Sequence, residues 1–168
     1  TNVLIVSGVL HPDLGMLKKA ITTNEQRSVT FIKPQDAAAV LNDYQLVILY
    51  QPDSGFAAVY KQLKKLKKNT FVFTGLQTDW SFVNKAQNYY SKEVVNQNER
   101  VTASLNSGYG AFGISPIGFA DFPPLQTKFG SLYINTPHQT ILEQYVDGIA
   151  SESPMLATIE LDGTRHAI

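Results

Sequence analysis

The side chains of this chain that suggest chemistry are histidine, aspartate, serine and lysine, and its 168 residues include no cysteine. That one absence removes thiolate catalysis, disulfides and cysteine-based metal sites together. Three histidines are present, His11, His138 and His166. No two of them share a short helical or hairpin spacing, and no carboxylate pattern accompanies them, so no metal site is expected. Asp79 with His11 and either Ser7 or Ser54 supplies the residue types of a hydrolytic triad. In such a triad an imidazole takes the hydroxyl proton and a carboxylate orients the ring. Neither serine stands in a Gly-x-Ser-x-Gly elbow, and the ordinary role for Asp79 is the cap of a following helix.

Three further patterns have a chemical reading and a plainer one. Gly108-Tyr109-Gly110-Ala111-Phe112-Gly113 has the spacing of a dinucleotide-binding loop. It lies late in the chain, and Ile114-Ser115-Pro116 does not launch the helix that would hold a pyrophosphate. It therefore reads as a glycine-rich loop, and no cofactor is expected. Lys61 to Lys68 could meet phosphate or lipid headgroups. Its lysines alternate with Leu63 and Leu66, however, which is the pattern of a solvated helix face. Phe112, Phe119, Phe122, Phe129 and Tyr133 crowd a region that also holds Pro116, Pro123 and Pro124. They can form a carbohydrate or protein contact, or they can pack an irregular excursion onto a sheet.

The elements that position these residues are read from hydrophobic patterning. Asn2 to Gly8 is a continuous apolar run, as in a strand buried on both faces. His11-Pro12-Asp13 opens a helix carrying Leu14, Leu17 and Ile21 on one side. Arg27 to Lys33 reads as a second strand, Pro34 to Leu41 as a short helix, and Gln45 to Tyr50 as a third strand. After the loop Gln51 to Gly55, with Ser54 as a cap, comes a helix bearing Phe56, Val59, Tyr60, Leu63 and Leu66. Thr70 to Thr74 is the fourth strand and ends at Gly75. This β-α-β-α-β-α-β order implies a parallel sheet with helices on both faces. Ligands bind beyond the carboxyl ends of such strands. The candidate ligand cleft is therefore assigned to His11, Gln51, Gln77, Asp79 and Trp80.

The second half changes character. Asp79 to Lys85 reads as a helical turn, and the polar stretch Asn84 to Glu99 as an irregular excursion or hairpin. Glu99 to Leu105, Phe129 to Asn135 and Ile141 to Val146 read as strands. From Gly108 to Gly130 glycine and proline argue against long helices. Met155 to Leu161 and Thr164 to Ile168 flank Asp162-Gly163, a hairpin signal.

Bulk properties exclude several function classes. Fourteen basic and fourteen acidic residues cancel, which argues against nucleic acid as a partner. No apolar run reaches the length of a membrane span, and no signal peptide is visible. The apolar content of 43% suits a folded domain. The chain begins at Thr1 without Met and stops inside a strand pattern, so the expectation is a single domain, residues 1–168, excised from a longer protein.

The order of Asn2 to Gly8, Asp43 to Tyr50 and Thr70 to Gly75 resembles the class I glutamine amidotransferase-like fold. Pro154-Met155-Leu156-Ala157 and Gly163-Thr164-Arg165-His166-Ala167 resemble the late hairpin of such domains in large bacterial membrane-anchored proteins. The resemblance implies an α/β, flavodoxin-like three-layer sandwich with a mainly parallel sheet and an added mostly β C-terminal region. Active members carry Cys in a Gly-x-Cys-x-Gly elbow after the strand matching Thr70 to Thr74, then a His-x-Glu pair. Here the elbow reads Gly75-Leu76-Gln77-Thr78-Asp79, and no His-x-Glu occurs. The resemblance thus implies a degenerate, non-catalytic interaction or ligand-binding module of a larger bacterial envelope protein. The expected location is extracytoplasmic (periplasmic), with cytoplasmic as the alternative, and the expected partner is a protein or a small molecule. Two rival readings are a hydrolase using His11 and Asp79 and a carbohydrate-binding domain using Trp80.

Overall fold

The computed structural model describes residues 1–115 and 117–168. Pro116, counted above among the residues that bar a helix after Gly113, lies outside the described residues. Strand β1 (Asn2–Ser7) is the first apolar run, and Val3 to Val6 are buried. Helix α1 (Pro12–Ile21) follows, then β2 (Ser28–Ile32), α2 (Pro34–Ala37), β3 (Leu46–Tyr50), α3 (Ala57–Leu66) and β4 (Asn69–Phe73). The side chains of β1 alternate as a pleated strand requires. Val3 and Ile5 meet Leu14, Leu17 and Ile21 of α1, while Leu4 and Val6 share the opposite core with Ala37 and with Phe56, Val59 and Leu63. Helices thus cover both faces.

The short helix expected over Pro34 to Leu41 makes only one turn. Beyond it the backbone bonds tighten to three-residue spacing, from Val40 N to Ala37 O and from Asp43 N to Val40 O, and the segment ends in a 3-10 turn at Leu41–Asp43. The cap assigned to Ser54 belongs to Asp53, whose carboxylate accepts from Gly55 N.

Helix α4 (Trp80–Ala86) is followed by β5 (Tyr90–Lys92), β6 (Asn98–Leu105), β7 (Leu125–Lys128), β8 (Leu132–Ile134), β9 (His138–Val146), β10 (Ile149–Leu161) and β11 (Thr164–Ala167). Nine strands form one sheet in the order β2-β1-β3-β4-β11-β10-β9-β6-β7. The pairings from β2 to β11 are parallel and those from β11 to β7 are antiparallel. The molecule is an α/β sandwich of flavodoxin type with a large central sheet and extra strands. Strands β5 and β8 pair separately as a two-stranded ribbon.

Two hairpins close on the same dipeptide. Asp162-Gly163 adopts φ of 49° and 77°, and so does Asp147-Gly148 between β9 and β10. Positive φ at both central residues is what a type I′ turn needs, and glycine tolerates it best. The strand expected over Phe129 to Asn135 is shortened to β8, because Gly130 sits at φ 105° and breaks the extended run. Strand β10 begins earlier than expected and is irregular around Pro154, with register shifts between Ala150 and Ala157. Proline has no N–H to give a ladder, so an irregularity there is the expected accommodation.

Candidate functional site at the crest

Gln51, the residue after β3, has φ 46°. Its N–H donates to Phe73 O at 2.7 Å, and its side-chain Oε1 accepts from Gln77 N at 2.8 Å. A Cβ at Gly75 would lie 2.6 Å from that Oε1, so only glycine admits the Gln51 amide in this pose. Gly75 N donates to Thr78 Oγ1 at 2.9 Å, and Thr78 N returns a bond to Gly75 O at 3.1 Å. Asp79 N donates to Pro52 O at 3.0 Å. The pentad after β4 is therefore a closed turn stitched to the loop after β3. Its middle residue is Gln77, whose amide is no nucleophile at neutral pH.

Asp79 caps α4. Its Oδ1 accepts from Phe82 N at 3.0 Å, the geometry of an N-cap. Trp80 opens the helix and is only 6% exposed. Its indole turns inward, with Lys92 Nζ 5.9 Å from the ring, and lines a small cavity.

His11 sits at the start of α1, exposed. Its Nδ1 is 3.3 Å from Asp13 N and 3.2 Å from Asp13 Oδ2. A neutral Nδ1 caps the helix, while a protonated one pairs with the carboxylate. Its ring lies 5.8 Å from that of Tyr50, whose hydroxyl donates to Asp13 Oδ2 at 2.9 Å. Burial pushes the Tyr50 phenol up. Gln51 works against that shift, and Asp13 adds to it. Ser7 Oγ donates to Val9 O at 2.7 Å. Ser7, the Nδ1 of His11 and Asp79 are thus each engaged locally: His11 pairs with Asp13, and Asp79 holds a helix end.

The other two histidines are also engaged. His138 Nδ1 lies 2.9 Å from Thr136 O. His166 is buried between two threonines, with Nε2 2.8 Å from Thr164 Oγ1 and Nδ1 2.8 Å from Thr70 Oγ1. Thr164 Oγ1 donates its hydrogen to Leu161 O at 2.7 Å. It must therefore accept from His166, which fixes the proton on Nε2. Thr70 then donates to Nδ1. Tyr89 stacks on the ring at 4.9 Å, and burial pushes the imidazole pKa down. Among the described residues, no three His, Asp or Glu side chains are placed to hold a metal ion together. In the glycine hexad, Gly108 N donates to Asn106 Oδ1 at 2.9 Å and Tyr109 packs edge-on against Phe112. Among the described residues the loop is a turn, and no long helix follows it.

Three cavities stand out among the described residues. One of about 690 Å³ lies beyond β1 and β2, is lined mainly by apolar groups, and takes in His11. A second of about 440 Å³ lies at the opposite ends of β4 and β11, with Lys64, Lys67 and Lys85 beside Tyr60, Tyr89 and His166. The third, about 140 Å³, takes in Trp80 and Lys92. Gln51, Gln77 and Asp79 line none of the three. The structure therefore ties Gln51, Gln77 and Asp79 into one pair of loops, joins His11 to them through Tyr50, and turns Trp80 inward. Sequence reasoning missed Lys92, Gln144 and Ser153, because a polar residue on a short strand carries no signal of burial.

No protein-family model and no curated protein sequence matches the chain. Among solved structures, it is similar to a protein from Thermoplasma acidophilum assigned as a GMP synthase subunit. The TM-score is 0.59 at 8% identity, over 98% of this chain and 81% of that one. An O-acetylhomoserine sulfhydrylase from Wolinella succinogenes matches over 64% of this chain and 31% of that one, with TM-score 0.40 and 13% identity, which supports no argument. The first likeness establishes the fold alone, an α/β arrangement shared with that protein. The chemistry has to be argued from the residues.

Proposed function

We propose that this chain is a non-catalytic interaction or ligand-binding module on an amidotransferase-like scaffold, serving as an extracytoplasmic part of a larger membrane-anchored bacterial protein. The observation that carries the reading is the turn after β4. At the place where active members of the resembled family hold a thiol, this chain has Gln77, in a loop laced shut by Gln51, Thr78 and Asp79. The surface supports the same reading. Phe112, Phe122 and Tyr133 are 57%, 59% and 61% exposed, all in the late loops and short strands, and exposed aromatics of that kind are enriched at contact surfaces.

Ammonia release from glutamine by the purified chain is the direct test. No turnover above the buffer rate is expected. Turnover that disappears in His11→Ala or Asp79→Asn would establish the hydrolase instead. A photo-crosslinking residue at position 122 of the full parent protein in intact cells is expected to trap a protein partner. Replacement of Phe112 and Tyr133 by Ser should abolish that trap.

A further inference from the structure

Three buried polar side chains converge on the cavity of about 140 Å³ beside the end of β4. Lys92 is 6% exposed, Gln144 is 7% and Ser153 is 3%. Lysine is almost never this buried without a partner, yet among the described residues Lys92 Nζ makes no hydrogen bond or ion pair with the protein. Its backbone is clamped on both sides by Asn84, which accepts from Lys92 N at 3.0 Å and donates to Lys92 O at 2.7 Å. The side chain is thereby directed under the Trp80 ring, which attracts its ammonium through the negative face of the indole. Glu99 is the carboxylate whose field reaches the amine, and it lies outside the cavity lining. The Gln144 amide likewise makes no hydrogen bond among the described residues. Ser153 Oγ accepts from Leu132 N at 2.9 Å and keeps its own proton uncommitted.

The polar atoms of Lys92 and Gln144 keep some access to solvent, and with the Ser153 hydroxyl they line one cavity with hydrogen-bonding capacity that the protein leaves unused. An ammonium, an amide N–H and a hydroxyl are donors, and no acidic side chain lines the cavity. The volume is far below the several hundred Å³ of a site for a drug-sized ligand. The geometry points to a binding site for a small carboxylate, or for the carboxylate end of a longer ligand, held by Lys92, Gln144 and Ser153 with Trp80 as one wall. This deepens the ligand-binding half of the function proposed above and rests on it. Burial, which pushes the Lys92 pKa down against the opposing pull of Glu99, is the effect a bound anion would reverse.

Trp80 is the only tryptophan in the chain, so its fluorescence reports on this cavity alone. Acetate, propionate and phosphate titrated at constant ionic strength are expected to give a saturable emission change with the two carboxylates. Lys92→Met should abolish the response while the far-ultraviolet circular dichroism stays native. Gln144→Leu should weaken it by roughly tenfold or more, the scale of one hydrogen bond to a charged group. No saturable change with any carboxylate, an undiminished response in Lys92→Met, or a response to phosphate alone would overturn the proposal. If Lys92→Met fails to fold, an unweakened response in Gln144→Leu overturns it equally. Glutamine turnover would defeat the non-catalytic reading without altering this titration, so the two failures are separable.

Discussion

At the scale of single residues, His166 is the position whose environment makes the sharpest demand. Its proton is fixed on Nε2 by Thr164, and Thr70 donates to the other nitrogen. Burial favours the neutral ring and lowers its pKa in the fold. The stability contributed by that preference is complete above the unfolded value of about 6.5 and is lost as pH falls through it toward the lowered folded value. Urea midpoints measured from pH 7.5 down to 5 should therefore decline below about pH 6.5. His166→Gln keeps a donor and an acceptor without a titrating ring, and it should remove that part of the decline. An unchanged pH profile in the variant would refute the assignment. None of this was legible beforehand, because a histidine near the end of an apolar hairpin has the same sequence signature whether its ring is enclosed or free. Lys92 escaped for the same reason. Its neighbours are polar, and only the tertiary packing of Trp80 and Gln144 around it takes it out of water.

At the scale of elements, hydrophobic period and punctuation carried most of the information. The strands of the first half were readable because their apolar runs are buried on both faces. Helix α4 was readable because Asp79 stands ahead of Trp80 and Val83. Asp147-Gly148 is the same turn dipeptide as Asp162-Gly163, and it closes β9 onto β10. The role assigned to Asp79 has a direct consequence. Asp79→Ala should cost about 1 kcal/mol of stability by exposing the first turn of α4, while Asp79→Asn, itself a good cap, should cost less. Chemical denaturation of the two variants distinguishes this from a catalytic role, in which both would lose activity and neither would need to lose stability.

At the scale of the whole molecule, the sheet is two halves joined at one short strand. The order β2-β1-β3-β4 comes from contiguous chain, whereas β11 lies between β4 and β10 and pairs with β4 only at His166 and Ala167. Ile168 adds a reciprocal pair of backbone bonds with Ala157, at 3.0 and 2.8 Å. The sequence could show that a parallel half and a hairpin half exist. It could not show where the hairpin inserts, because that depends on edges left open by strands distant in the chain. A chain cut after Leu161 should lose the joint, so that its unfolding broadens and, followed by Trp80 fluorescence and by circular dichroism, no longer coincides. Coincident, cooperative transitions in the truncated chain would mean the halves hold together by other contacts. The same topology bears on how the protein is made. The bridging strand follows both of its neighbours in chain order, so their edges stay uncovered until it has left the ribosome, and a chaperone that shields bare strands would act in that interval.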